Sequence, residues 1–316
     1  MNTRKLGHNS PDLTEIGFGA WAIGGPWEYG WGSVDDEQSI DAIHKAFDFG
    51  INWIDTAAVY GLGHSEEIVG RALKGIRGKV FLATKCGMIW DEQKHVRISA
   101  APKNIRTEIE DSLRRLQTDY IDLYQIHWPD PSIPVEDSWS SLVQLKEEGK
   151  VQFIGVCNYD VPLLEKCNRI HSVQSLLPPY NLLRRQIELE ILPYCAAKSI
   201  GVVAYSPMQA GLLSGVFDVS KLAKDDWRRK NRLYQEPYIS QVLNFVDRLR
   251  PLAAKFNVIV GQLAIAWVLH HTAITSAIVG ARSPWQVEGN VGATAIKFQD
   301  TDIRSIEQAL KECIPA

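Results

Sequence analysis

Residues 53–61 read WIDTAAVYG. Trp53 and Ile54 have the character of a short buried strand, yet Asp55 follows at once. An ionised carboxylate is costly to bury without a partner. Tyr60 then stands five residues further on. A strand closing on a polar side chain is explained if its end opens onto a site built from several strand ends, as at the carboxyl face of a (β/α)8 barrel.

The rest of the chain repeats the same unit: a short apolar, β-branched run, a polar loop and an amphipathic helix. Candidate strands are EIGFGA (15–20), NWIDTA (52–57), VFLATK (80–85) and IDLYQIHW (121–128), then FIGVCN (153–158), SVQSLL (172–177), GVVAYSP (201–207) and SAIVGA (276–281). Several lack polar alternation, as parallel strands covered on both faces do. Between them, VDDEQSIDAIHKAFDFG places Ile40, Ile43 and Phe47 on one helical face and stops at Gly50. SEEIVGRALKG is expected to start at a Ser65 cap, with Glu66 and Glu67 near the positive helix end. PKNIRTEIEDSLRRLQ, VEDSWSSLVQLKEEGK and RQIELEILPYCAAKS are further helices, and VGQLAIAWVLHH and SPWQVEGNVGA bracket the eighth strand.

Eight such units imply an α/β fold, a (β/α)8 TIM barrel. RKLGHNSPDLTEIG predicts an N-terminal β-hairpin turning at HNSPD and plugging the barrel bottom. TDIRSIEQALKECI adds a C-terminal helix. No linker divides the chain, so residues 1–316 are expected to form a single domain. The long charged segment 208–236 has the length of a functional loop.

Composition narrows the function. The net charge is -3 with no block of like charges, so nucleic acid and membrane surfaces are not expected partners. The N-terminus has no apolar signal region, and no run is long enough to span a membrane. Five scattered cysteines without a C-x-x-C pair suit reduced thiols in a cytoplasmic protein. The eight histidines lack metal-binding spacing, so no metal is expected.

Polar residues gather at the predicted strand ends: Asp55, Lys85, His127, Asn158, Tyr205, Ser206 and Arg282, with Gln174 in strand six and Tyr60 just past strand two. A lysine beside a tyrosine favours the phenolate and lowers a pKa that is ordinarily about 10. A carboxylate beside the lysine compensates the buried ammonium. Asp55, Lys85 and Tyr60 thus make a tuned proton donor, and His127 adds a hydrogen-bonding group for a substrate oxygen. That set suits carbonyl reduction.

With these residues in place, the chain resembles the aldo-keto reductase superfamily over nearly its full length. The resemblance rests on WIDTAAVYGLGHSEEIVGRAL (53–73), FLATKCG (81–87) and SLRRLQTDYIDLYQIHWPD (112–130). It continues in IGVCNYD (154–160), YNLLRR (180–185), VVAYSPMQAGLLSG (202–215) and IVGARSPWQVEGN (278–290). GHSEE and HWPDP resemble the bacterial branch of the inositol-operon reductases. The resemblance implies Asp55, Tyr60, Lys85 and His127 as catalytic residues and NADPH, rather than NADH, as hydride donor. It matches Asn158 and Gln174 to the carboxamide-binding pair and Tyr205 to the aromatic stacked on nicotinamide. Gly19, Ala20 and Trp21 fall beside the cofactor. Ser206, Pro207, Leu212, Ser214 and Gly215 fall on its pyrophosphate side. Gly280, Arg282, Gln286 and Asn290 match the adenosine end. There Ser283 can cap a helix with Pro284 at its first position, and Arg282 would grip a 2'-phosphate. Gly280 and Ala281 stand where some branches have lysine and serine, and Cys157 replaces a common serine.

GFGAWA (17–22) mimics a dinucleotide fingerprint, but a glycine-rich loop follows it where that motif needs a helix. Trp139 and Trp267 lie in helical patterns and read as core. Trp21, Trp27, Tyr29, Trp31, Trp90, Trp128 and Met208 fall on or near mouth loops and are candidate walls of an apolar or sugar-stacking substrate pocket. Arg228, Arg229 and Lys230 read as a solvated face or a flap over the cofactor phosphates. The function expected is reduction of an aldehyde or ketone. The alternatives are a polyol or sugar dehydrogenase running in reverse and an NADPH-binding regulatory subunit. The natural substrate and the choice between monomer and homo-oligomer are not legible.

Overall fold

A computed structural model describes residues 1–7 and 10–314. The chain opens with an antiparallel pair, β1 (Thr3–Lys5) and β2 (Asp12–Thr14). Part of the expected HNSPD turn lies outside the described residues. Eight parallel strands follow: β3 (Ile16–Gly19), β4 (Trp53–Asp55), β5 (Phe81–Cys86), β8 (Ile121–Ile126), β9 (Val151–Cys157), β10 (Ser175–Leu177), β11 (Gly201–Ala204) and β12 (Ile274–Gly280). They close into a barrel in sequence order, with β12 pairing back onto β3. A second antiparallel pair, β6 (Met88–Trp90) and β7 (Val96–Ile98), leaves the end of β5. Every predicted barrel strand is present.

The helices are α1 (Asp36–Asp48), α2 (His64–Ala72), α3 (Pro102–Leu116), α4 (Val135–Glu147), α5 (Val161–Asn168), α6 (Ile191–Lys198), α7 (Tyr238–Lys255), α8 (Val260–His270), α9 (Pro284–Val291) and α10 (Asp300–Cys313). No single helix among the described residues is long and apolar enough to cross a membrane.

Strand alternation sorts side chains into two cores. Ile54, Leu82, Tyr124, Ile154 and Val202 face outward into the layer beneath the helices, where Trp139 and Trp267 are buried as expected. Trp53, Ala83, Leu123, Cys157, Leu177, Val203 and Ile278 form a separate interior cluster. Leu6 and Leu13 of the N-terminal pair belong to that cluster and are wholly buried, so the hairpin plugs the barrel. The fit requires glycine: a Cβ at Gly201 would lie 1.9 Å from the Leu6 carbonyl oxygen. One step further along their strands, Asp55, Lys85 and Gln125 face inward above this layer.

Several local expectations need correction. Helix α2 begins at His64 behind Gly63, which has φ 106, not at a Ser65 cap. The Ser65 hydroxyl instead donates to the Ala20 carbonyl at 2.8 Å and lies 2.9 Å from Thr56 Oγ1. RQIELEILPYCAAKS divides into a 3₁₀ turn at Gln186–Glu188 and α6. Segment 208–236 holds three 3₁₀ turns, at Val219–Lys221, Trp227–Lys230 and Arg232–Tyr234, and leads into α7. Gln174 precedes β10 at the amino end of the barrel. Its carbonyl accepts from Gly201 N–H at 3.0 Å, and its side-chain oxygen accepts from Ile154 N–H at 3.1 Å. It serves the strand ladder near the plug and cannot join Asn158 at the mouth.

Candidate active site

Four chain-distant residues meet at the carboxyl face. Asp55 closes β4, Lys85 lies near the end of β5, His127 follows β8, and Tyr60 sits in the turn before α2. Lys85 Nζ donates to Asp55 Oδ1 at 2.5 Å, to the Thr56 carbonyl at 2.8 Å and to the Tyr60 hydroxyl at 3.3 Å. The Tyr60 and His127 rings meet edge to face, with centroids 5.6 Å apart. Gln125, which the sequence reading missed, approaches Asp55 Oδ2 at 3.5 Å. It stands two residues before His127 on the same strand face, which is the signal that could have found it.

Electrostatics follow from burial. Desolvation alone would strip the Lys85 ammonium, but Asp55 and then Tyr60 reverse this and hold its pKa above the ordinary value. Burial raises the Asp55 carboxyl against the pull of Lys85 and Gln125. Burial pushes the Tyr60 phenol up to about 12, and the opposing pull of Lys85 is smaller. The expectation of a phenol below its ordinary range is therefore corrected: Lys85 limits the rise but does not invert it. His127 is held well below its usual pKa, first by burial and then by Lys85, so its imidazole is neutral.

Asn158 adopts φ 62 just past β9. Its amide donates to the His127 carbonyl at 3.0 Å and accepts from the Tyr205 hydroxyl at 2.8 Å. Gly19 ends β3, and Ala20 and Trp21 open the 3₁₀ turn Ala20–Ile23. Trp21 lies 6.5 Å from the Tyr60 ring, 5.4 Å from Trp31 and 5.8 Å from Trp227. Trp27 lies 6.3 Å from Tyr60 and 5.5 Å from Tyr29. Trp227 was not among the expected pocket residues. Its loop reaches the mouth because Arg228 pairs with Asp226 at 2.6 Å and lies 4.5 Å over the Trp31 ring.

Among the other expected pocket residues, Trp90 lies 5.9 Å from the guanidinium of Arg115, and Trp128 is exposed. The Met208 sulfur lies against Gly261 of α8 and packs on the core. Leu212 is wholly buried, so its side chain cannot line a cofactor groove. Ser206 lies at φ 54 with Pro207 buried behind it. The Ser214 carbonyl accepts from Gly261 N–H at 3.2 Å, and Gly215 turns at φ 85 beside Val260.

Past β12, Arg282 N–H donates to Gln286 Oε1 at 2.8 Å, and Asn290 donates to the Gly280 carbonyl at 3.2 Å. The Arg282 guanidinium reaches the Trp31 carbonyl at 3.3 Å. Ser283 is the N-cap of α9 with Pro284 next, but its hydroxyl makes no capping bond. That hydroxyl is buried without a partner, as are the indole N–H groups of Trp27, Trp31 and Trp227. Unpaired buried polar atoms cost free energy. A phosphate at the N-terminus of α9 beside Arg282 would satisfy the Ser283 hydroxyl. These residues fit a nicotinamide dinucleotide.

The chain matches the family model described as the Aldo/keto reductase family over residues 15–311. It belongs to that family. This aldo/keto reductase is 38% identical over 318 residues to Aldo-keto reductase YhdN of Bacillus subtilis (strain 168), covering 99% of this chain and 95% of that protein. It is 34% identical to the NADH-specific methylglyoxal reductase of Escherichia coli (strain K12), covering 98% of this chain and all 100% of that one. Among solved structures it resembles the glycerol dehydrogenase AKR11B4 from Gluconobacter oxydans, with TM-score 0.90, 38% identity, and 99% and 96% of the two chains covered. These names lend no support to the inositol-operon branch. As an aldo/keto reductase, the chain is an oxidoreductase of carbonyl compounds that uses a nicotinamide cofactor.

Proposed function

We propose that this chain reduces small aldehydes or ketones with NADPH, with Tyr60 as the general acid and Asp55, Lys85 and His127 as its catalytic partners. The observation that carries the reading is the buried Lys85 ammonium shared between Asp55 and Tyr60. When bound, the cofactor supplies the hydride. Tyr60 remains a phenol through neutral pH, so it has a proton for the oxygen that gains charge. Lys85, kept charged by Asp55, stabilises the phenolate left behind. Neutral His127 offers a hydrogen bond to the carbonyl oxygen and orients it.

Asn158 and Tyr205 would hold the carboxamide and ring of the nicotinamide beside Gly19, Ala20 and Trp21. Ser206, Ser214 and Gly215 would flank the pyrophosphate. Gly280, Arg282, Gln286 and Asn290 would take the adenosine end. Arg282 beside the unpaired Ser283 hydroxyl favours NADPH; the relative named NADH-specific makes this a point to measure. The same reading takes residues 1–316 as one domain. The five cysteines are all free and buried, which supports a reducing, cytoplasmic setting.

A polyol or sugar alcohol oxidised in the reverse direction is the second reading, and the relative named a glycerol dehydrogenase agrees with it. Nucleotide consumption over a panel of aldehydes, ketones and sugars, run with NADPH and then NADH, tests both. Turnover of several carbonyls, faster with NADPH, is expected. Tight NADPH binding with negligible turnover across the panel would point instead to a regulatory subunit.

A further inference from the structure

The peptide group joining Cys86 to Gly87 is held from both sides. Its carbonyl accepts from the His127 backbone N–H at 2.9 Å, and its own N–H donates to Glu108 Oε2 at 2.8 Å. Lys85 is the preceding residue, and Gly87, at φ 86, turns the chain into β6. One peptide plane thus ties a carboxylate on α3 to the strand end that carries Lys85 and to the backbone of His127.

Glu108 lies behind the barrel wall, only 7% exposed. The charged and titratable groups facing it are Glu66 from α2, Arg115 from α3, Cys86 from β5 and Tyr124 from β8. Arg115 is already committed to Glu66 at 2.7 Å, and Glu66 also accepts from Thr84 at 2.6 Å. The nearby guanidinium is thus bound to Glu66, and Glu108 has no counter-ion of its own. Glu108 Oε1 and the Tyr124 hydroxyl are both buried without a partner. An unpaired oxygen on a carboxylate that lacks a counter-ion is a place to hold a proton.

We propose that Glu108 is a positioning residue for the carbonyl reduction, orienting Lys85 and His127 through the Cys86–Gly87 peptide and doing so more firmly when ionised. The inference rests on the reductase reading above. Burial pushes the Glu108 carboxyl up to about 7 against the pull of the Gly87 N–H, with Glu66 adding to the rise. An ionised carboxylate accepts a markedly stronger hydrogen bond than a protonated one. The anchor on Gly87 accordingly weakens as pH falls through neutrality. Glutamine at this position keeps a neutral acceptor that does not titrate, and leucine removes the acceptor.

The test compares wild type, Glu108→Gln and Glu108→Leu for propanal reduction with NADPH from about pH 5.5 to 9. Wild-type kcat is expected to fall below about pH 7, and that inflection to vanish in Glu108→Gln. Glu108→Leu is expected to lose about tenfold or more in kcat with the KM for NADPH unchanged, and Glu108→Gln to restore most of it. An inflection that persists in Glu108→Gln, or wild-type kcat in a folded Glu108→Leu, would overturn the proposal. If the leucine variant does not fold, the glutamine profile still decides. Wild type that binds NADPH but turns over no carbonyl at any pH would remove the reductase reading, and this one with it.

Discussion

Lys85 Nζ stands 2.5 Å from Asp55 Oδ1, with the two residues 1% and 2% exposed. Neither charge is tolerable alone at that depth. Lys85→Met is expected to destabilise the fold by roughly 3–5 kcal/mol, because it leaves the carboxylate without its counter-ion. Asp55→Asn/Lys85→Met should cost clearly less than the two single changes added together. Urea unfolding of the four proteins measures this. Strict additivity would mean that the pair is not coupled.

The direction of the reaction should carry a pH signature. Tyr60, held at about 12, keeps its proton across the neutral range, so reduction never lacks an acid. Alcohol oxidation needs the phenolate, which burial makes scarce. Oxidation with NADP+ is therefore expected to accelerate steadily as pH rises from about 7 to 10, with no plateau at Tyr60's ordinary pKa. A plateau below about pH 9 would show the phenol to be far more acidic than its burial implies.

Much of this was legible because strand alternation and strand-end chemistry are local properties. Asp55, Lys85 and His127 each end an apolar run, and the barrel brings such ends together. Gln174 illustrates the limit. The run SVQSLL extends to residue 177, and Gln174 lies ahead of the strand itself, at the amino end, where its amide serves the ladder. Trp227 was hidden in a charged segment, and only the Arg228 contact with Trp31 brings its loop to the mouth. The rise in the Tyr60 pKa was missed for a related reason: adjacency to lysine can be inferred from fold, but the depth of burial cannot.

Cofactor choice should rest on Arg282. It immediately precedes Ser283, the N-cap of α9, whose hydroxyl is unpaired, and its guanidinium reaches the Trp31 carbonyl at 3.3 Å. Arg282→Ala is expected to weaken NADPH binding by about 10- to 100-fold, the worth of one charge-assisted contact, while leaving NADH nearly unchanged. Fluorescence titration with both nucleotides measures the ratio. Equal losses for the two would place the discrimination elsewhere.

The central claim is that a buried phenol, served by Lys85, delivers the proton. Single-turnover oxidation of bound NADPH by an aldehyde in Tyr60→Phe tests it most directly, with NADPH affinity measured on the same protein. The expected result is wild-type affinity and a rate reduced by at least about a hundredfold. A rate close to wild type at unchanged affinity would contradict the account.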